Sequence, residues 1–281
     1  MEKGKTGQSE KLLRISFVKM HGAGNDFVLI DDREERFPAT AAHIAAIANR
    51  PSGIGCDGVI LVRRSARADF AMAFFNPDGS AAEMCGNGAR CVAVFAREIG
   101  AARGDAMLFE TGAGDVAAEI VAPGLVRVRM PDPRDLRNNF VNTGVPHCIV
   151  PVTDLAAADV AGEGRRIRFS EDFAPGGTNV DFVTYDVPHD VAIRTYERGV
   201  EAETGACGTG AVAAAVVGVA QHGLSFPVRV TTVRGDILTI GGRREAGRFT
   251  DITLTGPVCC VFAGEIDLRV RHSGIRKENG E

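Results

Sequence analysis

Two cysteines in this chain head nearly the same run of small residues. Met84-Cys85-Gly86-Asn87-Gly88-Ala89 is echoed 122 positions later by Ala206-Cys207-Gly208-Thr209-Gly210-Ala211, and an apolar stretch follows each run. Free backbone N–H groups at a helix start, together with the helix dipole, stabilise negative charge. A thiol placed there is expected to ionise more readily than its free value of about 8.5. The same donors can receive a substrate carboxylate, and glycine lets that ligand come close. One such cysteine suggests a nucleophile; two, at the same point of duplicated units, suggest thiols facing each other across an interface. If a flat carbanion lies between two acid/base groups, one face loses a proton while the other gains one, and configuration inverts. That chemistry is racemisation or epimerisation, with the helix starts supplying charge stabilisation where negative charge develops. No lysine stands in a recognisable pyridoxal-binding setting, so catalysis without a cofactor is expected.

Other cysteine chemistries fit the spacing less well. A zinc site would want CxxC or HxxxH spacing, and the chain has neither. A papain-like hydrolase would need one thiol with a histidine and an orienting group; His147 could serve, but the second cysteine is then unexplained. A disulfide switch in a protein that is not an enzyme also uses two thiols. Cys56, Cys91, Cys148, Cys259 and Cys260 read as small core hydrophobes. Gly112-Ala113-Gly114 and Gly208-Thr209-Gly210 each fit the start of a dinucleotide fingerprint, but neither has the strand, helix and acidic residue that motif requires. Gly4-Lys5-Thr6 lies too near Met1 for a P-loop.

The elements that must hold the thiols follow the same repeat. Gly22 to Asn25, running into Phe27-Val28-Leu29-Ile30, is echoed at 122 by Gly144 to His147, running into Ile149-Val150. The same shift lays Gly55 on Gly177, Asp57 on Asn179 and Phe74 on Tyr196. The change-over is expected near 130–134, where Pro131-Asp132-Pro133 breaks regular structure. Short strands are expected at 15–19, 27–31, 58–62, 70–76, 107–110, 115–121 and 126–130, with counterparts at 228–232, 237–240 and 252–255. The runs Ala89 to Ala96 and Ala211 to Ala220 are apolar on nearly every side, and a helix without a polar face must be surrounded. One amphipathic helix is expected at 39–49. The expected fold class is α/β (α+β): two pseudo-twofold domains, each a curled, mostly antiparallel sheet wrapped around a central helix.

Composition bounds the partners. The chain has 281 residues, 45% of them hydrophobic, with a formal net charge of -4, which offers no basic footprint for nucleic acid. No apolar run reaches the roughly 18 residues of a membrane span. An odd count of seven cysteines does not form the dense framework of a small secreted module, and Met1 to Lys11 has no apolar signal core. A cytoplasmic protein with reduced thiols and a frayed tail at 1–11 is expected.

Further segments carry a family resemblance. Lys19-Met20-His21-Gly22-Ala23-Gly24-Asn25-Asp26-Phe27, Phe75-Asn76-Pro77-Asp78-Gly79-Ser80, the Cys85 run, Pro146-His147-Cys148, Thr178-Asn179-Val180-Asp181-Phe182, Tyr196-Glu197-Arg198-Gly199 and the Cys207 run occur in one order. Together they resemble the diaminopimelate epimerases from about Leu13 to Leu268, although the Cys-Gly helix openings alone would also suit proline racemases. The resemblance implies interconversion of LL- and meso-diaminopimelate for lysine and peptidoglycan precursors, without a cofactor or metal, by a homodimer. It implies that Cys85 and Cys207 are the acid/base pair and that amides of Gly86, Asn87, Gly208 and Thr209 hold the reacting carboxylate. It places His147 and Glu197 beside the thiols, with Glu197 also within reach of substrate, and assigns Asn25, Asn76, Asn179 and Arg198 to the substrate's charged ends. The arginine suits that task, because a guanidinium grips a carboxylate bidentately. The implied domains are 12–131 with 264–281, and 132–263, with the site in the cleft between them. Gly58 and Val145 depart from the commonest pattern, where an amide side chain often stands.

Overall fold

The computed structural model describes residues 10–186 and 188–271. Its two halves repeat one strand order. In the first, strand Asn25–Asp31 runs parallel to Gly58–Arg63, which pairs antiparallel with Phe70–Phe75. Strand Phe70–Phe75 then pairs parallel with Ala106–Thr111, and Gly114–Ala122 and Leu125–Arg129 follow antiparallel. In the second, Pro146–Pro151 runs parallel to Asn179–Asp186, which pairs antiparallel with Asp190–Glu197. Strand Asp190–Glu197 pairs parallel with Val228–Thr231, and Ile237–Glu245 and Arg248–Pro257 follow antiparallel. The halves join where Arg248–Pro257 pairs antiparallel with Leu125–Arg129. The last strand, Cys259–Arg271, returns to pair with the first, Glu10–Gly22. That first strand begins at Glu10, inside the segment expected to be a frayed tail; residues 1–9 lie outside the described residues.

Among the described residues four α-helices punctuate the strands. Helix α1 (Ala41–Ala48) is capped by Thr40, whose hydroxyl accepts from the His43 amide. Helix α2 (Gly86–Glu98) and helix α4 (Gly208–Gln221) are the central helices of the two halves. Ten residues of α4 are buried, consistent with a segment that has no polar face to offer water. Helix α3 (Val160–Arg168) was not expected from the sequence. Gly162 and Gly164 lower its intrinsic propensity, but the Asp159 side chain caps it by accepting from the Gly162 amide. Gly164 also lets it pack on Tyr196, since a Cβ there would lie 2.6 Å from the Tyr196 Cβ.

Of the cysteines read as core residues, Cys56 and Cys91 are buried and Cys148 is half-buried. Cys259 and Cys260 are exposed, because they open a strand that closes against Glu10–Gly22 at the rim of the sheet. Among the described residues no helix is long and apolar enough to cross a membrane.

A charged cluster fixes the turn that enters the site. Lys19 Nζ lies 2.7 Å from Asp26 Oδ2, and Arg50 bridges Asp26 at 2.7 Å and Asp57 at 2.8 Å. Burial alone would push the Asp26 carboxyl up, but its bonds from Arg50 and Lys19 outweigh that and hold it well below the usual carboxylate range. A depressed carboxylate stabilises the fold above its unfolded value of about 3.9, and that contribution is lost as pH falls below it. Replacing Asp26 by Asn leaves the Lys19 ammonium buried against a neutral side chain. Urea titration at pH 7 should show a loss of about 3 kcal/mol, narrowing as the wild type is itself titrated toward pH 3.

Candidate active site

Both thiols sit where the sequence placed them, at helix starts. Cys85 is the N-cap of α2 and Cys207 the N-cap of α4, each with extended backbone and no side-chain capping bond. Their carbonyls accept the first helical bonds, from Ala89 at 2.7 Å and Ala211 at 3.0 Å. The two helix starts are brought together across the halves. The Asn87 side-chain amide, on α2, donates to the Ala206 carbonyl that precedes Cys207, at 3.4 Å. A Cβ added to Gly208 would lie 4.0 Å from Asn87 Oδ1. A second contact between the halves lies nearby, where Arg234 Nη1 donates to the Gly24 carbonyl at 2.9 Å.

Asn25 joins the Cys85 side. Its Oδ1 lies 3.6 Å from Cys85 Sγ and 3.4 Å from Asn87 Nδ2, while its own amide donates to Asp57 Oδ2 at 2.8 Å. The Lys19–Asp26–Arg50–Asp57 cluster therefore sets which end of Asn25 faces the thiol. On the other side, Cys207 Sγ lies 3.4 Å from Thr209 Oγ1, which lies 2.9 Å from His147 Nε2. His147 Nδ1 in turn lies 2.7 Å from Asp181 Oδ2, and Asp181 Oδ1 accepts from Thr195 at 2.7 Å. His147 and Asp181 have no exposed surface. Gly210 makes room for this arrangement, because a Cβ there would lie 2.5 Å from Asp181 Oδ1.

The environment of the thiols differs from the sequence expectation in sign. Burial pushes the Cys85 thiol up, with the amides of Gly88 and Asn87 pulling partly back. Burial pushes the Cys207 thiol well up too, assisted by the negative charges of Glu197 and Asp181. Helix-start amides do favour a thiolate, but loss of hydration at this depth outweighs them. The result is a pair of strongly basic sulfurs once ionised, suited to a weak carbon acid. Glu197, one of the charges acting on both thiols, is itself pushed up by burial.

The remaining expected residues are placed as follows. Asn179 accepts from the Arg198 amide at 2.8 Å and donates to the Pro146 carbonyl at 3.0 Å, so it ties three segments of the second half together. The Arg198 guanidinium reaches the Gly176 carbonyl at 3.3 Å. Asn76 closes a turn, donating to Ser80 Oγ at 3.0 Å. At Gly58 a Cβ would lie 2.4 Å from the Phe74 ring; an amide side chain here would need the space that Phe74 fills. The sequence reading gave no part to Asp181 or Thr195. The signal was partial: Asp181 lies two residues after Asn179, which in a strand puts both on one face, but no strand was expected at 179–186.

A duplicated unit with a thiol heading the central helix of each half defines a racemase or epimerase fold of the two-domain kind. Solved structures agree on the fold. A phenazine biosynthesis protein of the PhzF family from Bacillus anthracis aligns with a TM-score of 0.69 at 17% identity, covering 90% of this chain and 99% of that one. A probable proline racemase from Agrobacterium radiobacter K84 aligns with a TM-score of 0.63 at 18% identity, covering 90% and 92%. The diaminopimelate epimerase family model matches residues 17–135 and again 139–257, so the chain belongs to that family. The diaminopimelate epimerase of Aquifex aeolicus is 41% identical over 281 residues, 91% of this chain and 99% of its own length. That of Chlorobaculum tepidum is 42% identical over 260 residues, 89% and 100%.

Proposed function

We propose that this enzyme interconverts LL- and meso-diaminopimelate, in lysine and peptidoglycan precursor synthesis, by a two-base mechanism that needs no cofactor. The observation that carries the reading is the meeting of two thiol-bearing helix starts from opposite halves. One sulfur, as thiolate, takes the α-proton from one face; the Cα–H bond breaks and its electron pair passes into the carboxylate. The other sulfur, as thiol, gives its proton to the opposite face. Each turnover leaves the two sulfurs with exchanged protonation states. In this reading amides of Gly86, Asn87, Gly208 and Thr209, at the two helix starts, hold the reacting carboxylate as charge accumulates on it.

In this reading His147 and Glu197 set thiol protonation, and Glu197 also contacts polar groups of the substrate. Asn25, Asn76, Asn179 and Arg198 take the ammonium and carboxylate ends. The site lies in the cleft between a domain of 12–131 with 264–281 and a domain of 132–263, and closure over the substrate keeps the carbanion from bulk water. The enzyme is a cytoplasmic homodimer, which sedimentation at micromolar concentration checks.

Solvent exchange tests the reaction. Reduced enzyme and LL-diaminopimelate in D2O should give meso product carrying deuterium at the inverted α-carbon, while substrate isolated early keeps its protium. Absence of deuterium from both pools overturns the reading. Exchange into L-proline in place of diaminopimelate would move the enzyme to the proline racemase branch.

A further inference from the structure

The two thiols face different hydrogen-bond chains, and the difference has a direction. Asp181 as a carboxylate can only accept. Its Oδ1 is taken by the Thr195 hydroxyl, and its Oδ2 lies 2.7 Å from His147 Nδ1, so Nδ1 carries the proton. In the neutral imidazole Nε2 is then bare and must accept. Its partner at 2.9 Å is Thr209 Oγ1, whose single hydrogen is thereby used. What Thr209 presents to Cys207 Sγ at 3.4 Å is a lone pair, which suits S–H and opposes S⁻. His147 and Asp181 are sealed from solvent and Thr195 is 3% exposed, so water does not compete for the bonds among these three; Thr209 and Cys207 are half-buried.

Among the described residues nothing comparable lies behind Cys85. Its acceptor, Asn25 Oδ1, is more distant and is shared with Asn87 Nδ2. Behind it stands Arg90 of α2, fully buried, donating to Asn87 Oδ1 at 2.9 Å and the Gly86 carbonyl at 3.3 Å, with an Nε that has no partner among the described residues. A guanidinium keeps its charge even when buried, and its field favours a thiolate at Cys85. Glu197 acts on both sulfurs with the same sign, so it does not separate them. The charged and titratable groups that do are Arg90 on the Cys85 side, and Asp181 with His147 on the Cys207 side.

We propose that Asp181 is a positioning residue that, through His147 and Thr209, keeps the proton on Cys207 in the substrate-free enzyme, so that Cys85 enters the reaction as the base and Cys207 as the acid. This rests on the epimerase reading above, yet its tests use no substrate, so it can fail while solvent exchange succeeds, and the reverse.

The full-length, reduced, substrate-free protein is labelled with imidazole ¹⁵N-histidine, and two-bond proton–nitrogen correlations are recorded at pH 7, with His147 assigned by its loss in His147→Gln. The expected spectrum has a proton on Nδ1 and a bare Nε2. A proton on Nε2, alone or together with Nδ1, overturns the proposal. Alkylation by iodoacetamide, followed at each cysteine by peptide mass spectrometry, should modify Cys85 about ten-fold faster than Cys207, as one unit of thiol pKa difference would give. Equal rates, or a faster Cys207, overturn it. Asp181→Ala frees the imidazole to donate from Nε2 and the Thr209 hydrogen to turn toward the sulfur, so the Cys207 rate should rise about ten-fold; an unchanged rate overturns the proposal. Asp181→Asn, which can still accept from Nδ1–H, should fall between. If Asp181→Ala does not fold, the wild-type spectrum and rate ratio still decide.

Discussion

Cys85→Ala and Cys207→Ala should each lower the epimerisation rate by about 10³-fold or more, at the upper range of what a positioned acid or base contributes, while leaving the fold intact. Each sulfur is half-buried at a helix start and makes one weak side-chain contact, to Asn25 or to Thr209, so truncation removes little packing. The informative result is in how the two variants fail. A two-base enzyme stripped of one thiol retains the other on its own face of the substrate. Such a variant should still exchange the α-proton of the one epimer whose C–H bond points at the surviving sulfur, and return it with retained configuration. The two variants should therefore exchange opposite epimers in D2O. Loss of exchange from both epimers in both variants would mean that the sulfurs act as one unit. Retained epimerisation in either variant would remove the two-base mechanism outright.

The legible part of the structure was what repetition encodes. The 122-residue echo located both helix starts, and the runs 89–96 and 211–220, apolar on nearly every side, required helices with sheet around them; α2 and α4 extend those runs only to Glu98 and Gln221. Less legible were features that depend on depth. Helix-start amides can be inferred from a Cys-Gly run, but the dehydration that outweighs them at Cys85 and Cys207 depends on how deeply the folded chain buries the thiols. Arg90 reads as an interruption of an apolar helix, whereas the fold buries it completely and ties it to Asn87. Asp181 lies in a segment where no strand was expected. Its significance arises only because Pro146–Pro151 pairs parallel with Asn179–Asp186, which sets His147 beside that strand. Helix α3 was missed because two glycines argue against a helix locally, while the Asp159 cap and the Tyr196 contact act in its favour.

Storage of the enzyme in air without a thiol reductant should abolish activity, and dithiothreitol should restore it. The two helix starts face each other closely enough for the Asn87 side chain to reach the Ala206 carbonyl, and a disulfide between Cys85 and Cys207 would consume the proposed acid and base together. Formation requires a thiolate to react with an oxidised partner sulfur. Burial disfavours the thiolate form of both thiols, so inactivation should take longer than oxidation of an exposed cysteine and should accelerate as pH rises. Cys259 and Cys260 are exposed and are expected to oxidise first, without loss of activity. Mass mapping separates the two events: activity should fall in step with the peptide cross-link between 85 and 207 and not with changes at 259 and 260. Diaminopimelate in the site should protect, since a carbon held between the sulfurs keeps them from bonding. If activity is lost while Cys85 and Cys207 both still react with iodoacetamide, oxidation elsewhere is responsible and the disulfide is not the cause of inactivation.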